Sequence, residues 1–345
     1  MLKNSLLHTF LTLCILLTST GALCSKELDE HRLSVDLITV SSSYDERKVE
    51  KIKETLEGLG MRVYTRFYDQ TISDFGYVNL EENRINSLIN ALKAKDSDFV
   101  WFLRGGAGAL NLLPALEKYK DELLKYKAKP VVGYSDVTAI HNFVNNSLGW
   151  PSVHGIVAAY NTEMEPLYKK KYVIGEKGTI SNDYESIDEL KDALFNGIHH
   201  KKLLPLNKAA TKGVSGELRG GNLTLFQATI GTEYAQDLSG KILILEDVHE
   251  GYQKIDRMLH HLEYAKNLNA SAVIFGQFFN KNAGDAERLI FKTVLQDYAN
   301  RVDIPVYYFP YFGHGHYNKP LFLGKKATLK CKKNNYCQLV QDKLL

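Results

Sequence analysis

"VVGYSDVTAI", residues 131–140, opens as a short apolar run, breaks at Gly133, and resumes with helical spacing from about Asp136. A strand therefore gives way to a helix across Tyr134, Ser135 and Asp136. Ser135 would stand at the end of the strand with the Asp136 amide at a helix N-terminus, the mechanics of a nucleophile elbow with an oxyanion donor. The alternative is a serine that caps the helix. The local motif leaves both open, because Val137 stands where the second glycine of an elbow would be.

The pattern repeats outward. Short strand-like runs, "VDLITVSSS" (35–43), "MRVYTRF" (61–67) and "DFVWFLR" (98–104), alternate with the helical segments "DERKVEKIKETLEGLG", "EENRINSLINALKAKD" and "NLLPALEKYKDELLKYKA". Strand and helix in alternation predict a parallel sheet covered on both faces, with ligands beyond the carboxyl ends of its strands. The loops at 41–44, 104–108 and 133–136 are then the places for a site. Residues 161–211 are lysine-rich and weakly patterned apart from "SIDELKDALFNG", and read as a connection. After it come "GELRGGNLTLFQATIG", the strand "GKILILEDV", the helix "YQKIDRMLHHLEYAKNL", the strand "SAVIFGQF", the helix "DAERLIFKTVLQDYANRV" and the strand "PVYYFPYF", a second α/β block.

At 345 residues the chain is long enough for two cores. Its 43 basic and 40 acidic residues are interspersed, which gives no footprint for nucleic acid. The lysines at 169–171 and 325–333 read as solvated surface. The pairs His199-His200 and His260-His261 lack matching carboxylates and read as surface rather than metal ligands.

A serine nucleophile needs a base, and the base an orienting carboxylate. His314 and His316 lie in the glycine-flanked loop of "PYFGHGHYNKP", and Glu246 and Asp247 end the strand "ILILEDV". Gly105 and Gly106 open a helix after a strand, where backbone amides could meet an anion, but no Gly-Lys-Ser/Thr follows as in a phosphate loop.

Six blocks in order, "RGGAGALNLLP", "GYSDVTAIHN", "HGI", "GELRGGNLTLFQATIGT", "LEDVHEGYQKIDRML" and "FGHGHYNKPLFLG", make the chain resemble the LD-carboxypeptidase family of serine peptidases, from about Val35 to about Gly324. The family takes in muramoyltetrapeptide carboxypeptidases and microcin C immunity peptidases. The resemblance implies Ser135 as nucleophile, His314 as base, Glu246 as its carboxylate, and the amides of Gly106 and Asp136 as oxyanion hole. It further implies a flavodoxin-like N-terminal domain (33–160), a smaller C-terminal α/β domain (212–345), a homodimer, a muropeptide substrate, and neither metal nor cofactor. Arg104, Gly105 and Arg257 are candidates to receive the substrate, the arginines for its carboxylate. With Ser135 as nucleophile, Asp136 could take over the capping role. The sequence departs from the family at Ala107, near Asn111, at Ile156 and at Ser42, where tyrosine, arginine, proline and proline are common; no triad position is touched, so substrate choice is what these departures put in doubt. Acyl transfer on a nucleotide-linked peptide, or muropeptide binding without turnover, are the competing functions.

Lys3 precedes a charge-free apolar stretch from Leu6 to Leu17 and then small residues, the layout of a signal peptide over residues 1–24 and an expectation of export to a periplasm. Cleavage after Ala22 or Cys24 fits this layout, and lipidation of Cys24 is the one route to a membrane. In an oxidising compartment Cys331 and Cys337 are candidates for a disulfide.

Overall fold

The computed structural model describes residues 32–160, 163, 186–265, 269–280, 284–315, 317–331 and 336–345. The signal segment with Cys24, the lysines at 169–171 and His316 lie outside the described residues.

The first half runs β1 (Ser34–Ile38), α1 (Val49–Gly58), β2 (Arg62–Tyr64), α2 (Glu81–Lys93), β3 (Phe99–Phe102), α3 (Leu113–Glu117), α4 (Lys120–Leu123), β4 (Val131–Gly133), α5 (Thr138–Asn146) and β5 (Ser152–His154). Its strands pair in parallel in the order 2-1-3-4-5. β1 and β3 are buried along their whole length because both faces of the sheet are covered. Side chains alternate between the faces. Val35, Leu37, Phe99 and Trp101 pack with Ile52 and Leu56 of α1, whereas Ile38, Val100 and Phe102 pack with Ile85, Leu88 and Leu92 of α2. The helix expected over 111–128 breaks into α3 and α4, since Leu116 and Leu123 are buried while the turn between them is not.

The second half continues with α6 (Ile187–Asn196), β6 (Ile198–Pro205), β7 (Val214–Asn222), α7 (Leu223–Gln227), β8 (Ile242–Val248), α8 (Tyr252–Tyr264), β9 (Ala272–Phe279), α9 (Asp285–Arg301), β10 (Val306–Tyr308), β11 (Leu321–Leu323), β12 (Lys326–Cys331) and β13 (Cys337–Gln341). Here the α/β block is a closed barrel. β7, β8, β9 and β10 run parallel, and antiparallel β6, β13 and β12 complete the ring.

Two readings change. The stretch taken as a connection is structured from residue 186, and β6 is a barrel strand paired with β10 and β13. Lys326 and Lys330 are exposed, in keeping with a solvated surface, and alternate with buried Ala327 and Leu329 on β12. His200 is not a surface histidine, for its Nε2 donates to the Pro320 carbonyl at 2.7 Å and its ring stacks on Phe309.

The two halves are joined by more than the chain. β11 leaves the second half to pair antiparallel with β5, and one apolar cluster runs from Leu37 and Trp101 of the sheet to Ile242 and Ile244 of the barrel and Phe322 of β11. At Gly221 (φ +134°) a Cβ would lie 2.6 Å from Thr138 Oγ1, so only glycine lets β7 dock on α5. The same hydroxyl accepts from the Asn222 amide at 2.9 Å.

Candidate active site

Ser135 adopts φ +64°, a left-handed conformation that costs a non-glycine residue about 1–3 kcal/mol and is held only where the surroundings dictate it. It is not a cap: neither the 3₁₀ turn it begins nor α5 has a side-chain cap bond. The small residue that the turn needs is Gly133. A Cβ there would lie 3.0 Å from Val137 Cγ1, so the valine that spoils the elbow motif packs over the preceding glycine.

The loops after β1 and β3 close on this turn. A Cβ on Gly105 would lie 3.0 Å from Ser135 Cβ and 3.3 Å from its Oγ. Gly106 (φ +126°) leaves no room for a side chain because Ser42 occupies the space, and Ser42 Oγ accepts from the Ala107 amide at 3.1 Å. Asp136 is buried and does not cap its own helix. Its Oδ2 accepts from the Ala109 amide at 2.9 Å, which ties the glycine loop to the elbow, and burial raises its pKa above the usual carboxylate value. Arg84, buried on α2, donates through Nη1 to the carbonyls of Val40 (3.0 Å) and Gly108 (2.9 Å), bracing the same two loops. Arg104 donates to the Ser43 carbonyl at 2.9 Å and so spans these loops too.

Glu246 comes from the end of β8 and is fully buried. Its Oε2 accepts from His314 Nδ1 at 2.6 Å. Burial alone would raise the glutamate, but the facing imidazoles of His314 and His154 outweigh it and hold the carboxyl down at about 2. The neighbouring Asp247 points elsewhere: it accepts from Thr224 N (2.9 Å), Thr224 Oγ1 (2.8 Å) and Asn222 Nδ2 (3.1 Å), and burial with the charge of Glu246 pushes it up to about 6. One carboxylate serves the histidine and the other fastens the start of α7.

The histidine loop is held on three sides. Gln277 Nε2 donates to the Pro310 carbonyl at 2.6 Å, and its Oε1 accepts from the Gly315 amide. Asn318 Oδ1 accepts from the Gly313 amide at 3.1 Å. The β8–β9 register shifts beside Glu246, and in that irregularity Gly276 lies under the Phe312 ring, which a Cβ would approach to 2.6 Å. The His314 ring then sits 4.7 Å from that of Tyr134, the residue before Ser135. Glu246 and His314, 68 residues apart in sequence, are thereby paired, and the imidazole faces the residue next to Ser135.

A cavity of about 390 Å³ opens beside this loop, lined in part by Gly315, Gln277, Tyr311, Tyr317, Arg288 and Lys292. Arg257 is not gathered with these groups: it is exposed on α8. Cys331 and Cys337 are bridged at the β12–β13 hairpin. Among the described residues there is no group of three or more His, Cys, Asp or Glu that could hold a metal ion, and no helix is long and apolar enough to cross a membrane. Sequence reasoning missed Arg84, Gln277 and Asn318, and gave His154 no role. Arg84 alone left a trace, a cation on the apolar stripe shared with Leu88 and Ala91 of α2.

A strained serine at a strand's end, a glycine loop beside it and a buried glutamate–histidine pair define the class of hydrolases that work through a nucleophilic side chain. Residues 35–155 match the LD-carboxypeptidase N-terminal domain and residues 215–329 its C-terminal domain. A putative carboxypeptidase of Rickettsia conorii is 31% identical over 300 residues, covering 86% of this chain and 88% of that protein. The murein tetrapeptide carboxypeptidase of Pseudomonas aeruginosa is 29% identical over 253 residues, 72% of this chain and 78% of its own. Among solved structures, muramoyltetrapeptide carboxypeptidase from Oxalobacter formigenes superposes with a TM-score of 0.71 at 23% identity, covering 90% of this chain and 98% of that one. The microcin C7 self immunity protein superposes at 0.66 and 19% identity, covering 91% and 97%. The chain belongs to the LD-carboxypeptidase family and is a serine carboxypeptidase, a hydrolase.

Proposed function

We propose that the protein removes the terminal D-alanine from peptidoglycan tetrapeptide stems, cutting the L,D bond after diaminopimelate through an acyl-enzyme on Ser135. The observation that carries this is the 2.6 Å bond from His314 Nδ1 to Glu246, beside a serine held at φ +64°. With Nδ1–H committed to the carboxylate, the neutral imidazole keeps its lone pair on Nε2. His314 Nε2 takes the proton of Ser135 Oγ as the oxygen attacks the carbonyl, then gives it to the departing D-alanine amine. Glu246 fixes the tautomer and offsets the imidazolium charge. The amides of Gly106 and Asp136 receive the oxyanion, and water, activated by the same histidine, releases the shortened stem.

Arg288 and Lys292 in the cavity beside the loop suit the carboxylates of a stem peptide, a better placing than that of exposed Arg257. The 2-1-3-4-5 strand order supports the flavodoxin-like reading of the first half. Residues 1–24 support export as a signal peptide, and mass spectrometry of the mature N-terminus distinguishes simple cleavage from a lipidated Cys24. The homodimer is likewise a proposal, tested by sedimentation.

The test is incubation with purified muropeptides followed by mass spectrometry, with an aminoacyl nucleotide analogue in parallel. Loss of D-alanine from tetrapeptides alone is the expected result. Turnover of the nucleotide alone would favour the immunity-type reaction, and binding without turnover a muropeptide receptor.

A further inference from the structure

Two polar groups at the centre of the site face each other unpaired. Glu246 Oε2 receives His314, but Oε1 accepts no hydrogen bond, and neither ring nitrogen of His154 has a partner among the described residues. His154 Nε2 lies 3.7 Å from that same Oε1, with both side chains fully buried. Such groups do not stay unpaired cheaply; a buried donor or acceptor left unsatisfied costs about 1–3 kcal/mol. A movement of about 0.8 Å brings the pair to ordinary hydrogen-bonding distance.

The surroundings leave the imidazole no other partner. His154 ends β5, opposite Gly133 of β4 on one side and Leu321 of β11 on the other, so its backbone is pinned from both flanks. Phe312 meets its ring edge-on at 5.6 Å. The titratable groups facing it are Glu246 from β8, Tyr134 from the elbow at 6.2 Å and His141 from α5 at 6.4 Å. His141 donates its Nε2–H to the Gly133 carbonyl at 2.9 Å, and burial pushes its pKa down to about 3, so it stays neutral and brings no charge.

We propose that His154 is a positioning residue: its Nε2–H donates to Glu246 Oε1, so that the carboxylate bridges two imidazoles and is held with Oε2 turned to His314. The inference rests on the acyl-transfer reading given above. A carboxylate with one donor can rotate about its terminal bond; one gripped at both oxygens cannot. Partners behind a directly acting group set its orientation, and losing one costs about 10–100-fold in activity where this has been measured at metal sites.

The test compares wild type with His154→Leu, which removes the donor at similar bulk, and His154→Gln, whose amide keeps an N–H where Nε2 stands. Measured are kcat and KM for D-alanine release across pH, and the low-field proton signal of the His314 Nδ1–H in the uncomplexed protein. His154→Leu should lose at least about 10-fold in kcat with KM within about 2-fold. Its acid limb should move up by about half a pH unit, because a carboxylate stripped of one donor holds the imidazolium more strongly. The low-field signal should shift in His154→Leu. His154→Gln should recover to within about 3-fold of wild type and restore the signal. A leucine variant with wild-type kcat, pH limb and signal overturns the proposal, and so does equal loss in both variants. If wild type releases no D-alanine, or Ser135→Ala still does, the functional reading fails instead, while the proton signal continues to report on His154.

Discussion

Replacing Gly313 by alanine should damage the site through a single methyl group. Gly313 sits at φ +112°, where an L-residue is strained by about 1–3 kcal/mol. A Cβ there would lie 2.9 Å from Oε2 of Glu246, 3.0 Å from its Cβ and 3.2 Å from its Cγ. Favourable carbon contacts begin near ~3.5 Å, so the glutamate must retreat by about half an ångström. It has nowhere to go, being fully buried with Oε2 engaged by His314 at 2.6 Å. Overpacking of this kind adds about 1–3 kcal/mol, which gives a total loss of about 2–6 kcal/mol in stability. Misplacing a catalytic group by about 1 Å costs roughly 100-fold, so a displacement of about half that should lower kcat for D-alanine release by about 10-fold. Urea melts and steady-state release of D-alanine read the two quantities. A variant with an unchanged midpoint and kcat within about 3-fold of wild type would refute the reasoning, because the methyl group would then have found space that the packing denies.

Arg84→Met should lower stability by about 2 kcal/mol, since hydrogen bonds from a charged donor to two loop carbonyls are lost, and should reduce kcat as the glycine loop loosens; an unchanged urea midpoint would count against the brace. His141 makes a prediction about pH. Its pKa is about 3 in the folded state against an ordinary ~6.5 unfolded, so the fold loses stability as pH falls below ~6.5, by about 1.4 kcal/mol per unit, until about 3. His141→Gln keeps an N–H donor for Gly133 but cannot charge, so its stability should fall less steeply between about pH 6 and 4.5. Parallel profiles for the two proteins would contradict this.

Much of the site could be read from the chain because its parts are local. Ser135 and Gly105-Gly106 each follow a strand directly, and an amide or hydroxyl at a strand's end has a predictable place. The supports could not be read in this way. Gln277 reaches a loop 33 residues on, and Arg84 reaches back 44 residues to Val40 and forward 24 to Gly108. Asp136 looked like a cap because aspartate before a helix commonly is one, but burial and the nearby Ala109 amide gave it a longer-range partner. The barrel was hidden for the same reason. β6 has an irregular burial pattern, and β11 and β5 are each only three residues long, too short to show a period.

The central claim is that Ser135 carries the acyl group. Purified muropeptide tetrapeptides incubated with wild type and with Ser135→Ala, followed by mass spectrometry for loss of D-alanine, test it most directly. The account predicts conversion to tripeptides by wild type and, in a Ser135→Ala protein of unchanged fold, a rate lower by about 10³-fold or more. Conversion by Ser135→Ala at a rate near that of wild type would contradict it.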